Sequence, residues 1–242
     1  MTFVEAIARL ETALRIGLPG AAGHVRMAPV PRRAWPKGFD TVRVRHAAGL
    51  LLVFPAGVES AERAATAEQE TAGRKKSLRS PRAPRSNADA AHIVLTVRGD
   101  TPRHAGQISL PGGVVEPGET FEQAALREAH EEIALDVTEV RVLGALTPLD
   151  IPVSGFRLYP IVGALDTRPG LTPADGEVAG ILEIAIDDLL DARSVRRVER
   201  KREGIVLTVP GFHVGSHEIW GATAMVLAEF LTLLGWPGPD PD

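Results

Sequence analysis

Gly113-Val-Val-Glu-Pro-Gly-Glu-Thr-Phe-Glu-Gln-Ala-Ala-Leu-Arg-Glu-Ala-His-Glu-Glu-Ile-Ala-Leu135 is the stretch that decides how this 242-residue chain is read. Thr120, followed three residues later by Gln123, forms a capping-box pattern that predicts a helix starting at Phe121. Phe121, Ala124, Ala125, Ala129 and Ile133 recur at helical spacing and supply a stripe that docks on a core. Its alanines let the helix lie close to a sheet. Glu128, Glu131 and Glu132 are related by i+3 and i+4, so their carboxylates are neighbours. Each like-charge pair costs about 0.2–0.5 kcal/mol on an isolated helix, and near the C-terminus the charges also oppose the macrodipole. A surface helix gains nothing from this arrangement. A hard, oxygen-seeking cation such as Mg²⁺ or Mn²⁺ reverses the sign of the effect. Taken alone, the three glutamates read equally well as a solvated acidic face.

Their surroundings break the tie. Leu110-Pro111-Gly112-Gly113 reads as a strand running into exposed backbone, and Pro117-Gly118 is a second turn signal. Strand, glycine loop, capped helix and clustered carboxylates together resemble a Nudix box, G-x5-E-x7-R-E-U-x-E-E-x-G-U with U aliphatic. Gly113, Glu119, Arg127, Glu128, Glu131, Glu132 and Leu135 match it, and Ala129 is a small U. Ala134 stands where the family has glycine, which alters the helix exit but removes no ligand. The resemblance implies an α/β fold: a Nudix α/β/α sandwich with a mixed sheet and the box as loop–helix–loop. It also implies Mg²⁺ or Mn²⁺ held by Glu128, Glu132, Glu131 and the carbonyl of Gly113. Arg127 is then expected to hold a glutamate in position, with Glu119 doing the same or bridging through water. Glu128, Glu131 and Glu177 are the alternatives for the general base.

Composition narrows the class. The apolar fraction of 44% and charged fraction of 24% are those of a globular protein, with room for one domain and an extension. A net charge of −4 argues against a dedicated nucleic-acid binder. The absence of cysteine excludes disulfides, thiolate metal sites and cysteine nucleophiles. No apolar run approaches a membrane span. Glu5 and Arg9 interrupt the first apolar residues, so no secretory h-region is read, and a cytoplasmic location is expected. The expected partner is a small nucleotide substrate rather than nucleic acid or a membrane, for a monomer or homodimer.

Along the chain, Phe3, Ile7, Leu10 and Leu14 predict a first helix ending by Gly17-Leu18-Pro19, with an irregular lead-in to residue 40. Residues 41–234 are the expected domain and 235–242 a disordered tail. Strands are predicted at 45–54, 92–98, 137–146, 157–165, 181–186 and 205–209, and a last helix from about His217 to Leu234. Residues 56–90 nearly lack large apolar side chains and are expected to be a mobile insertion. Its basic residues, Arg74, Lys75, Lys76, Arg79, Arg82 and Arg85, lack the aromatic interleaving of a single-strand binder and read as a solvated linker.

Leu95-Thr-Val-Arg98 followed by Arg103-His-Ala-Gly-Gln-Ile-Ser-Leu-Pro-Gly-Gly113 resembles the motif that precedes the box in coenzyme A diphosphatases, roughly L-L-T-x-R-[SA]-x3-R-x3-G-x3-F-P-G-G. Leu95, Thr96, Arg98, Gly106, Pro111, Gly112 and Gly113 match. Gly99 replaces Ser or Ala, Leu110 replaces Phe, and the segment between Arg98 and Gly106 is one residue short, which displaces Arg103. Ala47-Ala-Gly-Leu-Leu-Leu, Ser154-Gly-Phe-Arg-Leu-Tyr-Pro160 and Ile219-Trp-Gly-Ala-Thr-Ala224 resemble further segments of that subfamily. The implied activity is hydrolysis of the diphosphate of coenzyme A or its derivatives. The alternatives are an enzyme for ADP-ribose or another nucleoside diphosphate derivative, and a non-catalytic nucleotide sensor. The expected substrate-binding residues are Arg98, Arg103, His104, Gln107, Ser154 and Phe156. Four of them have a plainer reading: a sheet-edge ion pair for Arg98, a structural histidine for His104, a turn and a core aromatic for Ser154 and Phe156. Glu177, as a bare observation, is an exposed loop acid.

Overall fold

A computed structural model describes residues 1–57, 88–99, 106–174, 176–202 and 204–239. Arg103, His104 and almost all of the expected insertion, with its basic residues, lie outside the described residues. Among the described residues the main sheet has eight strands. Strand β1 (Arg45–Pro55) is central, and its apolar run is buried on both faces. It pairs in parallel with β7 (Phe156–Ala164) and antiparallel with β2 (Ala91–Arg98). Outside these lie β5 (Arg141–Ala145) and β6 (Leu149–Ile151) on β7, and β8 (Val178–Ala185) on β2.

The local feature that builds the site is a split between β1 and β2. After Ile93 pairs with Val53 the two strands diverge, and β3 (Ile108–Ser109) and β4 (Gly112–Val114) fill the gap. Ile108 pairs with Val97 of β2, while Gly113 pairs with Ala48 of β1. Gly112 is obligatory here, because a Cβ would lie 2.3 Å from the Ala48 carbonyl oxygen.

One face of the sheet is covered by helix α3 (Phe121–Ile133), around Leu50, Leu52, Phe54, Ala124, Ala125, Ala129 and Ile133. The other face is covered by α1 (Phe3–Ile16), by α5 (Ala222–Leu233) and by a small antiparallel sheet. The main sheet therefore sits between helices, as the resemblance implied. The short helices α2 (Ala21–Val25) and α4 (Ile186–Leu190) complete the set. Glu229 of α5 is fully buried and accepts from Gly20 N–H (3.0 Å), Thr147 N–H (3.1 Å) and Thr147 Oγ1 (2.6 Å), with His24 Nε2 3.0 Å away. Those bonds tie the lead-in to the last helix and hold the Glu229 carboxyl below its ordinary range despite burial. No helix among the described residues is long and apolar enough to cross a membrane.

Several expected boundaries are corrected. His217–Trp220 form strand β11, not the start of the last helix; they pair with β10 (Ile205–Val214), and Gly221, at φ 68°, turns the chain into α5. Strand β9 (Val195–Arg202), Val-Arg-Arg-Val-Glu-Arg-Lys-Arg, went unread because its charges hide any alternation; β10 supplies the apolar partner. The tail beginning at residue 235 is not free along its length. Trp236 is buried against Phe212, and its carbonyl accepts from Arg26. The strand expected from 137 begins at Arg141, after a turn of 3₁₀ helix capped by Asp136.

Ala134 ends α3 at φ 52° and ψ 34°, the left-handed region that glycine adopts without penalty. Ala134→Gly is expected to raise stability by about 0.5–1 kcal/mol, or roughly 2–4 °C in Tm. A scan of thermal unfolding checks this; an unchanged or lower Tm would contradict the strain.

Candidate active site

Thr120 accepts from Gln123 N–H (3.2 Å), and the Gln123 side chain accepts from Thr120 N–H (2.9 Å), so the capping box starts α3 as read. Phe121, the first helical residue, stacks on Tyr159 with centroids 3.6 Å apart. With the alanine stripe buried, the helix presents Arg127, Glu128, Glu131 and Glu132 toward β4 and its loop.

Arg127 organises them. Its Nε and Nη2 hold Glu119 bidentately at 2.7 and 3.0 Å. Nη1 donates to Glu128 (2.9 Å) and Glu131 (3.1 Å), and Nη2 also donates to the Val114 carbonyl (3.0 Å). All five guanidinium donors thus have partners. The fork raises the Arg127 pKa and lowers that of Glu119, in each case chiefly through their mutual hydrogen bonds.

Glu132 is the exception among the carboxylates. Among the described residues it accepts only from Gly112 N–H, at 3.0 Å. Burial pushes its pKa up to about 7; the Gly112 bond opposes the shift, Glu128 and Glu177 add to it, and Arg98 reduces it. Gly113 faces the neighbouring carboxylate so closely that a Cβ would lie 2.4 Å from the Glu128 carboxyl carbon. No side chain therefore intervenes between the Gly113 backbone and the Glu128 carboxylate. Among the described residues no three acidic or imidazole side chains already enclose a metal ion. The donor chemistry nevertheless fits a hard divalent cation: oxygen ligands only, and one half-buried carboxylate that no cation bonds among the described residues.

The loop carrying Glu177 reaches the same place. Ala174 N–H donates to the Glu132 carbonyl (2.8 Å) and Thr172 N–H to that of Ile133 (3.0 Å), which satisfies carbonyls left open at the helix end. The Glu177 carbonyl accepts from Gly99 N–H (2.8 Å). Arg98, at the end of β2, has its Nε shielded from solvent and without a hydrogen-bond partner. Its backbone N–H binds the carbonyl of Gln107 (2.9 Å), which brings Gln107 alongside. Ser154 and Phe156 stand apart from this cluster. Ser154 Oγ donates to Ile151 in the β6–β7 turn (3.3 Å), and the Arg45 guanidinium lies 4.0 Å over the Phe156 ring. Phe156 pairs with Arg45, three residues along β1 from the partner of Gly113. The roles of the Gly112 amide and of the Ala174 and Thr172 amides were not read from sequence, since backbone donors leave no residue-type signal.

Residues 80–202, which hold all of this cluster, match the NUDIX domain family. The chain belongs to the Nudix family. An uncharacterized Nudix hydrolase, NudL, of Yersinia pestis (strain Pestoides F) is 38% identical over 137 residues, spanning 56% of this chain and 68% of that protein. NudL of Yersinia pseudotuberculosis serotype O:1b (strain IP 31758) matches to the same extent. Among solved structures, the Nudix hydrolase RenU of M. smegmatis is similar with 21% identity, a TM-score of 0.42, and coverage of 61% of this chain and 74% of that one. A MutT/nudix family protein from Enterococcus faecalis gives 13% identity and a TM-score of 0.48 over 84% of this chain and 65% of that one.

The Glu132 environment of this Nudix protein has a pH signature. Its folded-state pKa lies above the ordinary 4.5, so stability from the neutral form is full below that value and is lost as pH rises through about 7. Glu132→Gln removes the ionisation. Without metal, the variant is expected to be more stable than wild type at pH 8, by on the order of 2 kcal/mol, and equal to it near pH 4. Denaturant unfolding at the two pH values measures the difference; parallel curves would refute the assignment.

Proposed function

We propose that this Nudix protein hydrolyses the diphosphate linkage of coenzyme A or its derivatives with Mg²⁺ or Mn²⁺, giving 3′,5′-ADP and 4′-phosphopantetheine. The observation that carries the hydrolytic reading is the half-buried Glu132 carboxylate, held by the Gly112 amide one residue from the Gly113 backbone that faces Glu128. In this reading Glu128, Glu132, Glu131 and the Gly113 carbonyl hold the ion. When bound, the ion neutralises the diphosphate and lowers the pKa of the attacking water. Arg127 fixes the bearing of Glu128 and Glu131 through Nη1 and anchors the loop through Glu119 and Val114. A carboxylate beside the ion takes the proton from the water. Glu128 and Glu131 each accept an Arg127 N–H, whereas no Arg127 N–H reaches Glu177, which favours Glu177 as that base.

The choice of coenzyme A rests on the sequence from Leu95 to Gly113 and on the segments at Ser154–Pro160 and Ile219–Ala224. Arg98 supports it through its planar guanidinium, whose forked donors suit phosphate oxygens, at the end of the strand that precedes the glycine loop. Arg103 and His104 keep their assigned roles from sequence alone.

A panel of coenzyme A, dephospho-CoA, ADP-ribose, NADH and nucleoside triphosphates tests the reading. Coenzyme A is expected to exceed dephospho-CoA in kcat/KM by about tenfold, since a charge-assisted bond to the 3′-phosphate contributes about 1.5–3 kcal/mol. Arg98→Ala is expected to erase most of that difference. Equal turnover of the two by the wild type would remove 3′-phosphate recognition, and faster turnover of ADP-ribose would move the enzyme to that substrate.

A further inference from the structure

We infer that Gly99 is a positioning residue for Glu177, and that its lack of a side chain lets the 172–178 loop deliver a fourth carboxylate to the metal-binding end of α3. This rests on the proposed hydrolytic site and concerns how one of its members is held. A Cβ built on Gly99 would lie 2.5 Å from the Gly176 carbonyl oxygen, 3.0 Å from that of Glu177 and 3.1 Å from the Glu177 carbonyl carbon. All three are backbone atoms, so no side-chain rotation relieves the clash. The motif resembled at 95–113 has Ser or Ala here, and this loop in its present place excludes both.

The approach is built from two sides. On the sheet side, the register of β2 and β8 shifts between Val97 and Arg98: Val97 pairs with Gly180, but Arg98 pairs with Val178. The irregularity takes up one residue of β8, so that Glu177 rather than Val178 comes opposite Gly99, whose N–H binds the Glu177 carbonyl at 2.8 Å. On the helix side, the Ala174 and Thr172 amides cap the carbonyls of Glu132 and Ile133. The loop is thus clamped between β2 and the backbone of Glu132 itself. Gly176, at φ 83°, makes the turn between the two clamps. The amide bond from Ala174 to the Glu132 carbonyl sets Glu177, three residues on, at the same end of α3. Any side chain at 99 must push this loop off β2 and carry Glu177 away from Glu132.

A double-mutant cycle of Gly99→Ala and Glu177→Gln tests the inference, read both by turnover and by Mn²⁺ titration calorimetry. Gly99→Ala is expected to lower kcat about tenfold with little change in KM and to weaken Mn²⁺ binding, because supporting residues of metal sites contribute on that scale. In the Glu177→Gln background, Gly99→Ala is expected to cost nothing more by either readout. Losses that multiply, or a Gly99→Ala enzyme equal to wild type, would overturn the inference. Should Gly99→Ala fail to fold, Ala174→Pro enters the same cycle, since it removes the N–H clamp at the other end of the loop. Multiplying losses there overturn the inference equally. A wild type inactive on the whole panel would refute the proposed function alone, and the Mn²⁺ cycle would still decide the role of Gly99.

Discussion

The fork between Arg127 and its acidic partners is the interaction on which the site depends. Three carboxylates of one short segment repel one another and oppose the dipole of α3. A single guanidinium spreads five donors over Glu119, Glu128, Glu131 and the Val114 carbonyl. It thereby joins the helix to β4 and to the loop between them. Lysine offers three donors on one rotating head and cannot span four groups in fixed directions. The fork also sorts the carboxylates. Glu119, Glu128 and Glu131 each pair with it, and Glu132 among the described residues is left with partial burial and one amide.

That unequal sharing has a thermodynamic sense. Partial burial of the Glu132 carboxylate disfavours its charged form and pushes its pKa up to about 7. A divalent ion at this carboxylate would remove the same penalty, and its binding would then be coupled to release of that proton. The sheet architecture makes this possible. Because β3 and β4 wedge between β1 and β2, the Gly112 amide is free to bond Glu132 of α3, and the side-chain-free face of Gly113 lies against Glu128. Burial of the alanine stripe then sets how near the helix comes.

Much of this was legible in the sequence because it is periodic or chemically loud. The capping box at Thr120, the alanine stripe, the clustered glutamates and the apolar run of β1 each follow from side-chain type and spacing. The small sheet was not, for a physical reason: β9 is almost all charged, and β11 passes for the first turn of a helix until Gly221 is seen to break it. Trp236 looked like part of a tail because Pro and Gly surround it, yet its indole packs on Phe212 across the molecule. In the site itself, the glutamates and Arg127 fell together as read. Ser154 and Phe156 lie at a neighbouring turn, and the contacts that place Glu177 are backbone bonds from Gly99, Thr172 and Ala174. Such bonds depend on loop closure in three dimensions and carry no mark in a linear pattern.

The most direct test of the account is a Mn²⁺ titration of wild type and Arg127→Lys by calorimetry at neutral pH. The substitution keeps the positive charge and removes the fork. If the guanidinium organises the carboxylates, the lysine variant binds Mn²⁺ at least about tenfold more weakly while remaining folded. Wild-type affinity in the lysine variant would contradict the account, since charge alone would then suffice to hold the site.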